Sequence, residues 1–209
     1  MFYNKTKIKT VIHVSTDEVY GDMKDYYAIN HSASTDSPLK PSSYYSSTKA
    51  SADLIVQSCH KTFGLPYLIT RTCNNFGKRQ HPEKFIPKIF KNIKEEQPIP
   101  VYGDGKQTRS FCYVSDLVEG IYKLLQLKDN PNTPINLGNP NEFTILELAK
   151  VVIEITNSKS EIVNNPLPLD DPKQRCPDIS LAKSTLNWKP TIELREGIEK
   201  TAAYFKQII

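Results

Sequence analysis

The chain has 209 residues, enough for one sizeable hydrophobic core or two smaller ones. Hydrophobic residues make up 38% and charged residues 24%, which is typical of a globular protein and excludes a disordered class. The longest apolar runs, such as residues 151–153, are far below the roughly 18 residues of a membrane span. The net charge of +4 is weaker than the basic stripe of nucleic-acid-binding proteins. We therefore expect neither a membrane nor a nucleic-acid partner.

The four cysteines, Cys59, Cys73, Cys112 and Cys176, stand singly, without a Cys-x-x-Cys pair. This spacing favours reduced thiols and predicts neither a disulfide framework nor a metal site. The first five residues lack the apolar core of a secretory signal, so a cytoplasmic location is expected.

The first predicted elements form one supersecondary unit. Residues 10–15 are a β-branched run that predicts a strand buried on both faces. After a turn-rich loop to about Pro41, small and then apolar residues from Ser42 predict a helix that Gly64 ends. Residues 66–71 predict a second buried strand. Strand, loop, helix and strand together predict a parallel βαβ crossover.

The rest of the chain also alternates between helix and strand. In chain order it predicts a helix over 85–95, a strand over 99–102, a helix behind the potential N-cap Ser115, a strand closed by 136–138, a helix behind the capping box Thr144–Glu147, a loop over 164–177, and helices over 179–186 and 194–208. This order predicts a mostly parallel sheet with helices on both faces. Ligands of such sheets bind at the carboxyl ends of strands, here after Ser15 and Arg71.

Two groups of polar residues occur at such places. Residues 15–21 (Ser-Thr-Asp-Glu-Val-Tyr-Gly) crowd hydroxyl and carboxyl groups at the end of the first strand. In Tyr45-x-x-x-Lys49, the spacing puts both side chains on one face of the next helix. An ammonium group stabilises a phenolate, so Tyr45, with an ordinary pKa near ~10, is a candidate base, and Ser15 or Thr16 is a candidate to share its proton. Each motif alone is also typical of a solvated surface, but their combination in this order favours chemistry.

With later motifs, these residues resemble the extended short-chain dehydrogenase/reductases, in particular the dTDP-glucose and UDP-glucose 4,6-dehydratases. The resemblance spans nearly the whole chain and is carried by residues 13–21, 45–50, 73–77, 82–87, 100–105 and 109–111. The Thr16-Asp17-Glu18 triplet is its most specific part, because the related epimerases and decarboxylases do not keep the acidic pair together.

The resemblance implies a catalytic set of Thr16, Asp17, Glu18, Tyr45 and Lys49. In that mechanism Tyr45, assisted by Thr16 and Lys49, removes the proton of the sugar 4-hydroxyl while hydride passes from C4 to NAD. Glu18 then removes the C5 proton and Asp17 protonates the departing 6-hydroxyl, so that water is lost. Neighbouring carboxyl groups suit this step because one must be charged while the other is protonated. Return of the hydride to C6 gives a 4-keto-6-deoxy sugar and regenerates NAD.

The resemblance also implies binding residues. The cofactor contacts are Ser15, Tyr45, Lys49 and Asn74, and the substrate contacts are Thr16, Asn74, Lys84, Phe85, Tyr102, Arg109 and Arg175. A guanidinium such as that of Arg109 binds phosphate oxygens in a fork. Taken alone, Arg109 and Lys84 are also typical of solvated surface cations, and Asn74 of a loop cap.

The implied fold class is α/β: a partial Rossmann-like parallel sheet, the C-terminal part of an extended short-chain dehydrogenase, with a small α/β substrate-binding lobe. Residues 1–72 and 112–140 are expected to form the remnant of the NAD-binding domain with the catalytic residues. Residues 73–111 and 141–209 are expected to form the nucleotide-sugar-binding lobe.

The sequence departs from the family at its opening glycine-rich turn. Members begin with a strand and a Gly-x-x-Gly-x-x-Gly turn that approaches the NAD pyrophosphate, whereas the first glycine here is Gly21. Two explanations for the missing turn stay open: the chain is a truncated or split gene product, or the true start of the protein lies upstream of Met1. We expect an exposed hydrophobic sheet edge, weak NAD binding and little turnover by this polypeptide alone. Its expected partners are a UDP- or dTDP-linked sugar and either a second copy in a homodimer or a complementing N-terminal NAD-binding piece.

A second departure leaves the exact reaction open. The dehydratases usually place arginine, histidine and tyrosine in the loop at residues 169–178, but this stretch, like residues 139–144, is more similar to the UDP-glucuronate decarboxylases. Arg175 would then be the diphosphate contact, which favours UDP slightly over dTDP. The alternatives are a UDP-glucuronate decarboxylase, which Asp17 opposes, and a non-catalytic remnant that binds a nucleotide sugar or a partner subunit.

Overall fold

The computed structural model describes residues 9–22, 32–167 and 174–208. In these ranges the strands are β1 (Val11–Thr16), β2 (Tyr67–Thr72), β3 (Asn74–Phe76), β4 (Ile99–Tyr102), β5 (Thr108–Tyr113), β6 (Pro134–Leu137), β7 (Glu142–Thr144), β8 (Ile162–Asn165) and β9 (Gln174–Arg175). The helices are α1 (Tyr44–Phe63), α2 (Phe85–Lys94), α3 (Val114–Leu125), α4 (Ile145–Thr156), α5 (Ser180–Leu186) and α6 (Leu194–Ile208). The alternation confirms the predicted α/β class.

A parallel sheet with the order β1-β2-β6 carries the first half of the fold. Strands β1 and β2 pair in register from Val11 with Tyr67, and α1 connects them, which confirms the predicted βαβ crossover. Helix α1 begins with a capping box in which the Ser43 and Ser46 side chains bond reciprocally to backbone N–H groups. It ends at Gly64, as predicted, in the left-handed conformation at φ 69°.

Shorter strands form the second half. Strand β5 pairs in parallel with β3 and β9 and antiparallel with β7, while β4 and β8 form a separate parallel pair. The predicted capping box of α4 is confirmed: the Thr144 hydroxyl accepts from Glu147 N at 3.0 Å, and the Glu147 carboxylate accepts from Thr144 N at 2.7 Å. No helix in the described ranges is long and apolar enough to cross a membrane.

Two large hydrophobic clusters hold the elements together. The first packs α2, α4 and α6 against β4 and β5 and includes Phe76, Phe90, Phe111, Leu148 and Ile198. The second packs α3 and α5 against β2 and β6 and includes Leu68, Leu124, Leu137, Leu186 and Trp188. The second cluster thus joins the sheet to residues 179–188. The division into two units with the boundaries given above stays a prediction.

Three local expectations are wrong. Strand β1 is not buried on both faces, because it is the edge strand among the described residues and Val14 stays 46% exposed. Ser115 is not an N-cap, because β5 continues directly into α3 and the extended residue Tyr113 occupies that position. Residues 164–177 are not all loop, because β8 extends to Asn165 and β9 begins at Gln174. Residues 168–173 of that predicted loop, and the N-terminal residues 1–8, lie outside the described ranges.

Candidate active site

The acidic residues lie on a tight turn at the carboxyl end of β1. A single 3-10 turn, Asp17–Tyr20, follows the strand, and the Thr16 hydroxyl caps it by accepting from Glu18 N at 3.2 Å. Gly21 ends the turn at φ 78°, where an added Cβ would clash with the carbonyl oxygen of Lys40. The chain therefore leaves the turn along a path that only glycine permits without strain.

Arg175 of β9 gathers both carboxyl groups of the turn. Its Nη1 is 3.0 Å from Glu18 Oε1 and 3.4 Å from Asp17 Oδ1. Its Nη2 donates to Asn74 Oδ1 at 3.3 Å. Four residues that the sequence assigned to the site are thus in direct contact, although Arg175 lies far from the other three in the chain.

The two carboxyl groups differ in their surroundings. Asp17 is 5% exposed, and burial raises its pKa from 3.8 to about 6, with the charge of Glu18 adding to this rise. Arg175 and Arg109 oppose the rise but do not cancel it. The Glu18 side chain, in contrast, is 31% exposed. The turn therefore holds one buried carboxyl group that binds its proton more tightly than an ordinary aspartate does, and one that reaches solvent.

Tyr45 faces the same region from α1 and is 54% exposed. Burial, Glu18 and Asp17 raise its pKa above the ordinary value, and Arg175 partly offsets them. The ammonium group of Lys49 donates to the Val14 carbonyl oxygen at 2.8 Å. The expected lowering of the Tyr45 pKa by Lys49 is therefore not found here, because burial and two nearby carboxyl groups raise this pKa while the lysine bonds to the strand backbone.

Two adjoining cavities, of about 490 and 510 Å³, contain most of the predicted site residues. Glu18, Asn74, Phe85 and Arg175 line both cavities. The larger cavity also reaches Thr16, Tyr45 and Lys84, and the smaller reaches Tyr102 and Arg109. Ser15, Asp17 and Lys49 do not line either cavity. Asp17 instead lies behind the wall, next to Arg175.

Two buried polar groups extend the site. Arg109 is 4% exposed and donates from Nη1 to the Thr108 carbonyl oxygen at 2.8 Å. The Ser15 hydroxyl oxygen is buried without a hydrogen-bond partner among the described residues. A buried hydroxyl of this kind is an available donor for a bound molecule.

Several residues at the cavities were not predicted. Lys88 lies one helical turn after Phe85 on α2, and the i, i+3 spacing was the available signal. Gln80 and His81 line the cavity next to Tyr45, and Gln107 the one next to Arg109, but their sequence context gave no signal. Within the described part of the chain, no group of three histidine, cysteine, aspartate or glutamate residues is arranged to hold a metal ion.

The fold and site define a Rossmann-like enzyme class with a Tyr-x-x-x-Lys helix next to a strand-end carboxyl pair. The model of the NAD-dependent epimerase/dehydratase family matches residues 2–138. The chain therefore belongs to the NAD-dependent epimerase/dehydratase family.

Known proteins similar to this chain carry different activities. UDP-glucuronic acid decarboxylase 1 of Arabidopsis thaliana is 40% identical over 197 residues, which cover 93% of this chain and 45% of that protein. The human dTDP-D-glucose 4,6-dehydratase is 34% identical over 212 residues, which cover 98% of this chain and 58% of that protein. The chain thus spans about half the length of these curated relatives.

Solved structures agree with the fold. A UDP-glucuronic acid 4-epimerase from Bacillus cereus superposes with a TM-score of 0.92 at 30% identity, over 99% of this chain and 64% of that one. The dTDP-glucose 4,6-dehydratase DesIV from Streptomyces venezuelae was solved with NAD bound. It superposes with a TM-score of 0.90 at 30% identity, over 98% of this chain and 62% of that one. Both likenesses confirm the Rossmann-like fold.

Proposed function

We propose that the protein is an NAD-dependent nucleotide-sugar 4,6-dehydratase that acts on dTDP-glucose or UDP-glucose in the cytoplasm. The observation that carries the proposal is the unequal carboxyl pair on one turn. Asp17 is buried with its pKa raised to about 6, and Glu18 is partly exposed in a cavity that Tyr45 also lines. Elimination of water needs a proton acceptor and a proton donor at adjacent sugar carbons. Glu18 in the cavity wall is the proposed acceptor, and Asp17 is the proposed donor once the bound sugar draws Arg175 away from it.

Tyr45 acts as the base for the sugar 4-hydroxyl in this proposal. Its half-exposed phenol and the Thr16 hydroxyl line the same cavity as Glu18. The raised pKa of the phenol means that a nearby positive charge is needed to release its proton. Lys49, on the same face of α1, is the available cation. It can act on the phenol once its ammonium group leaves the Val14 carbonyl oxygen and turns toward Tyr45.

NAD would supply the acceptor and later the donor of the hydride. Ser15, Tyr45, Lys49 and Asn74 are the described residues that would hold it, and the unpartnered buried hydroxyl of Ser15 fits such a contact. Among the described strands β1 lies at the edge of its sheet with Val14 half exposed, which supports a further piece of sheet that completes the cofactor site.

The nucleotide sugar would extend through both cavities. Their volumes are in the range of small-molecule sites, about 300–1,000 Å³. We assign the diphosphate to Arg109 and Arg175, the adjoining polar groups to Lys84 and Asn74, and the apolar faces to Phe85 and Tyr102, all of which line the cavities. Exposed Leu54, Ile55 and Phe63 on α1 support a homodimer through that helix.

A UDP-glucuronate decarboxylase is the second candidate. It is favoured by the 40% identity to the Arabidopsis decarboxylase. The Arg175 guanidinium also lies at the cavity wall beside Glu18, where it can pair with a sugar carboxylate. Asp17 has no evident task in that reaction, which is why we place it second.

Product analysis tests the proposal. The purified protein with NAD is incubated separately with dTDP-glucose, UDP-glucose and UDP-glucuronate, and products are identified by mass spectrometry. Because this polypeptide alone is expected to turn over little, we expect a slow loss of water from a glucose nucleotide, abolished in Asp17→Asn and retained in the surface control Glu95→Gln. Carbon dioxide release from UDP-glucuronate without any dehydrated product would assign the decarboxylase instead. Tight nucleotide-sugar binding by calorimetry without turnover would assign the non-catalytic remnant.

A further inference from the structure

A buried polar network lies beneath the acidic turn and uses no residue assigned to the site. Tyr20, the last residue of the turn, accepts at its hydroxyl from Arg71 Nη1 at 3.0 Å and donates to Asn136 Oδ1 at 2.7 Å. The Arg71 guanidinium also lies over the Tyr20 ring, 5.0 Å from its centroid. Both contacts hold the carboxyl end of the turn against β2 and β6.

The same arginine also holds the helix that bears Tyr45. Arg71 Nε donates to Asp53 Oδ2 of α1 at 2.9 Å, and His13 Nε2 lies 3.3 Å from Asp53 Oδ1. Asp53 is one helical turn beyond Lys49 and two beyond Tyr45. A single guanidinium therefore touches the acidic turn on one side and the Tyr-x-x-x-Lys helix on the other.

The burial of the network makes its geometry stiff. Tyr20, Arg71, Asp53 and Asn136 are each 3% exposed or less. A buried polar group that loses its partner incurs the full cost of desolvation, and this cost is larger for a charged group than for a neutral one. The four side chains consequently have few alternative arrangements, and the two elements that they join are fixed relative to each other.

We propose that Arg71 is a positioning residue, which sets the distance between the Tyr45 phenol and the carboxyl groups of Asp17 and Glu18 by binding Tyr20 and Asp53 at once. The expected effect of this positioning on turnover rests on the proposed function, whereas its expected effect on the position of the acidic turn does not. Proton transfers at C4 and at C5–C6 of one sugar ring need a fixed spacing of the groups that perform them, and a displacement of about 1 Å can reduce turnover up to 10²-fold.

Tyr20→Phe is the informative change, because it removes one hydroxyl group and keeps the ring under the guanidinium. The matched control is Thr201→Val, which removes a buried hydroxyl that donates to Gly197 O at 2.7 Å in α6. Tyr20→Phe loses two buried hydrogen bonds and Thr201→Val loses one, so chemical denaturation of both variants measures the general effect of such losses on stability.

The first readout is independent of any reaction. Carboxyl-carbon NMR measures the pKa of Asp17, and burial is expected to raise this pKa to about 6 in the wild-type protein. Release of the turn exposes Asp17 to water, so we expect its pKa to fall toward 3.8 in Tyr20→Phe and to stay unchanged in Thr201→Val. The second readout is kinetic: kcat should fall about tenfold in Tyr20→Phe, with KM for the nucleotide sugar within about twofold.

An unchanged Asp17 pKa in Tyr20→Phe, with stability lowered as in Thr201→Val, overturns the proposal and leaves Arg71 a role in folding alone. A wild-type protein that turns over no nucleotide sugar would contradict the proposed function, and the NMR titration would still decide the position of the turn. Agreement of both readouts supports the assignment.

Discussion

The guanidinium of Arg175 and the carboxylate of Glu18 form an ion pair across the site, with Nη1 3.0 Å from Oε1. The same nitrogen lies 3.4 Å from Asp17 Oδ1. Because the two carboxyl groups share one cation, the charge state of each group affects the pKa of the other, and both depend on the arginine. This arrangement gives the acidic turn a distinctive dependence on pH.

Replacement of Arg175 by glutamine should destabilise the protein more at high pH than at low pH. Loss of the cation leaves buried carboxyl charge uncompensated, which typically costs about 3–5 kcal/mol. Because Arg175 lowers the pKa of Asp17, that pKa should rise above about 6 in the variant, and at pH 5 the protonated carboxyl group no longer needs the cation. Urea unfolding at pH 5 and pH 8 measures the difference.

The control for this change is Arg195→Gln. Arg195 pairs with Glu154 at 2.9 Å on the exposed surface, where solvent screens the charges and such pairs contribute little to stability. Equal losses of stability at both pH values in Arg175→Gln would contradict the shared-cation arrangement.

Asp17→Asn should make the stability of the protein less sensitive to pH. The folded state raises the pKa of Asp17 from 3.8 to about 6, so the folded state binds the proton more tightly than the unfolded state. The contribution of Asp17 is fully present below its unfolded pKa and is lost as pH rises through the folded pKa. The stability of the variant relative to wild type should therefore increase by roughly 2–3 kcal/mol between pH 4 and pH 7.

Denaturant titrations of both proteins across this pH range provide the measurement. A constant difference between Asp17→Asn and wild type would mean that Asp17 is not protonated preferentially in the folded state. In active protein the proposed proton donor should also give kcat/KM a decline above about pH 6.

Tyr45→Phe should abolish activity without affecting the fold. The phenol is 54% exposed, so its removal should change stability by less than about 0.5 kcal/mol. Loss of a general base should reduce turnover about 10³-fold. Steady-state kinetics and thermal unfolding separate the two effects. The neighbouring control Tyr44→Phe alters a 96% exposed side chain and should match wild type in both assays; a Tyr45→Phe protein with near-normal turnover would remove the phenol from the mechanism.

Gly21→Ala should disrupt the acidic turn. The added methyl group meets the Lys40 carbonyl oxygen at a backbone φ of 78°, so both a steric clash and backbone strain oppose the change. Gly64→Ala is the control, because Gly64 has a similar backbone conformation, at φ 69°, but a Cβ added there meets nothing within 4 Å. We expect a loss above about 2 kcal/mol for Gly21→Ala and about 1 kcal/mol for Gly64→Ala in chemical denaturation. Similar losses in the two variants would show that close approach to Lys40 is unimportant.

The sequence predicted elements whose signals are local. Gly64 ends α1 and the Thr144–Glu147 box begins α4, because these features depend on residues within one or two helical turns. The predicted site residues Asn74, Glu18 and Arg175 meet, and the resemblance had assigned all three to one site although Arg175 was predicted to lie in a loop.

Features that depend on distant partners were not predictable. Strand β9 has two residues, and its hydrogen bonds to β5 make it a strand. The contacts of Arg71 with Asp53 and Tyr20 join residues 18 and 51 positions apart, and the chain between them contains no signal of either pair. The raised pKa of Asp17 follows mainly from burial, which depends on the assembled fold.

The most direct test of the account is a crystal structure of the protein with dTDP-glucose or UDP-glucose bound. The account predicts that the hexose lies in the cavity between Tyr45 and Glu18, with its 4-hydroxyl within hydrogen-bond distance of the Tyr45 phenol and its C5–C6 edge facing Glu18 and Asp17. A hexose bound elsewhere, or one whose C5–C6 edge faces away from both carboxyl groups, would contradict it.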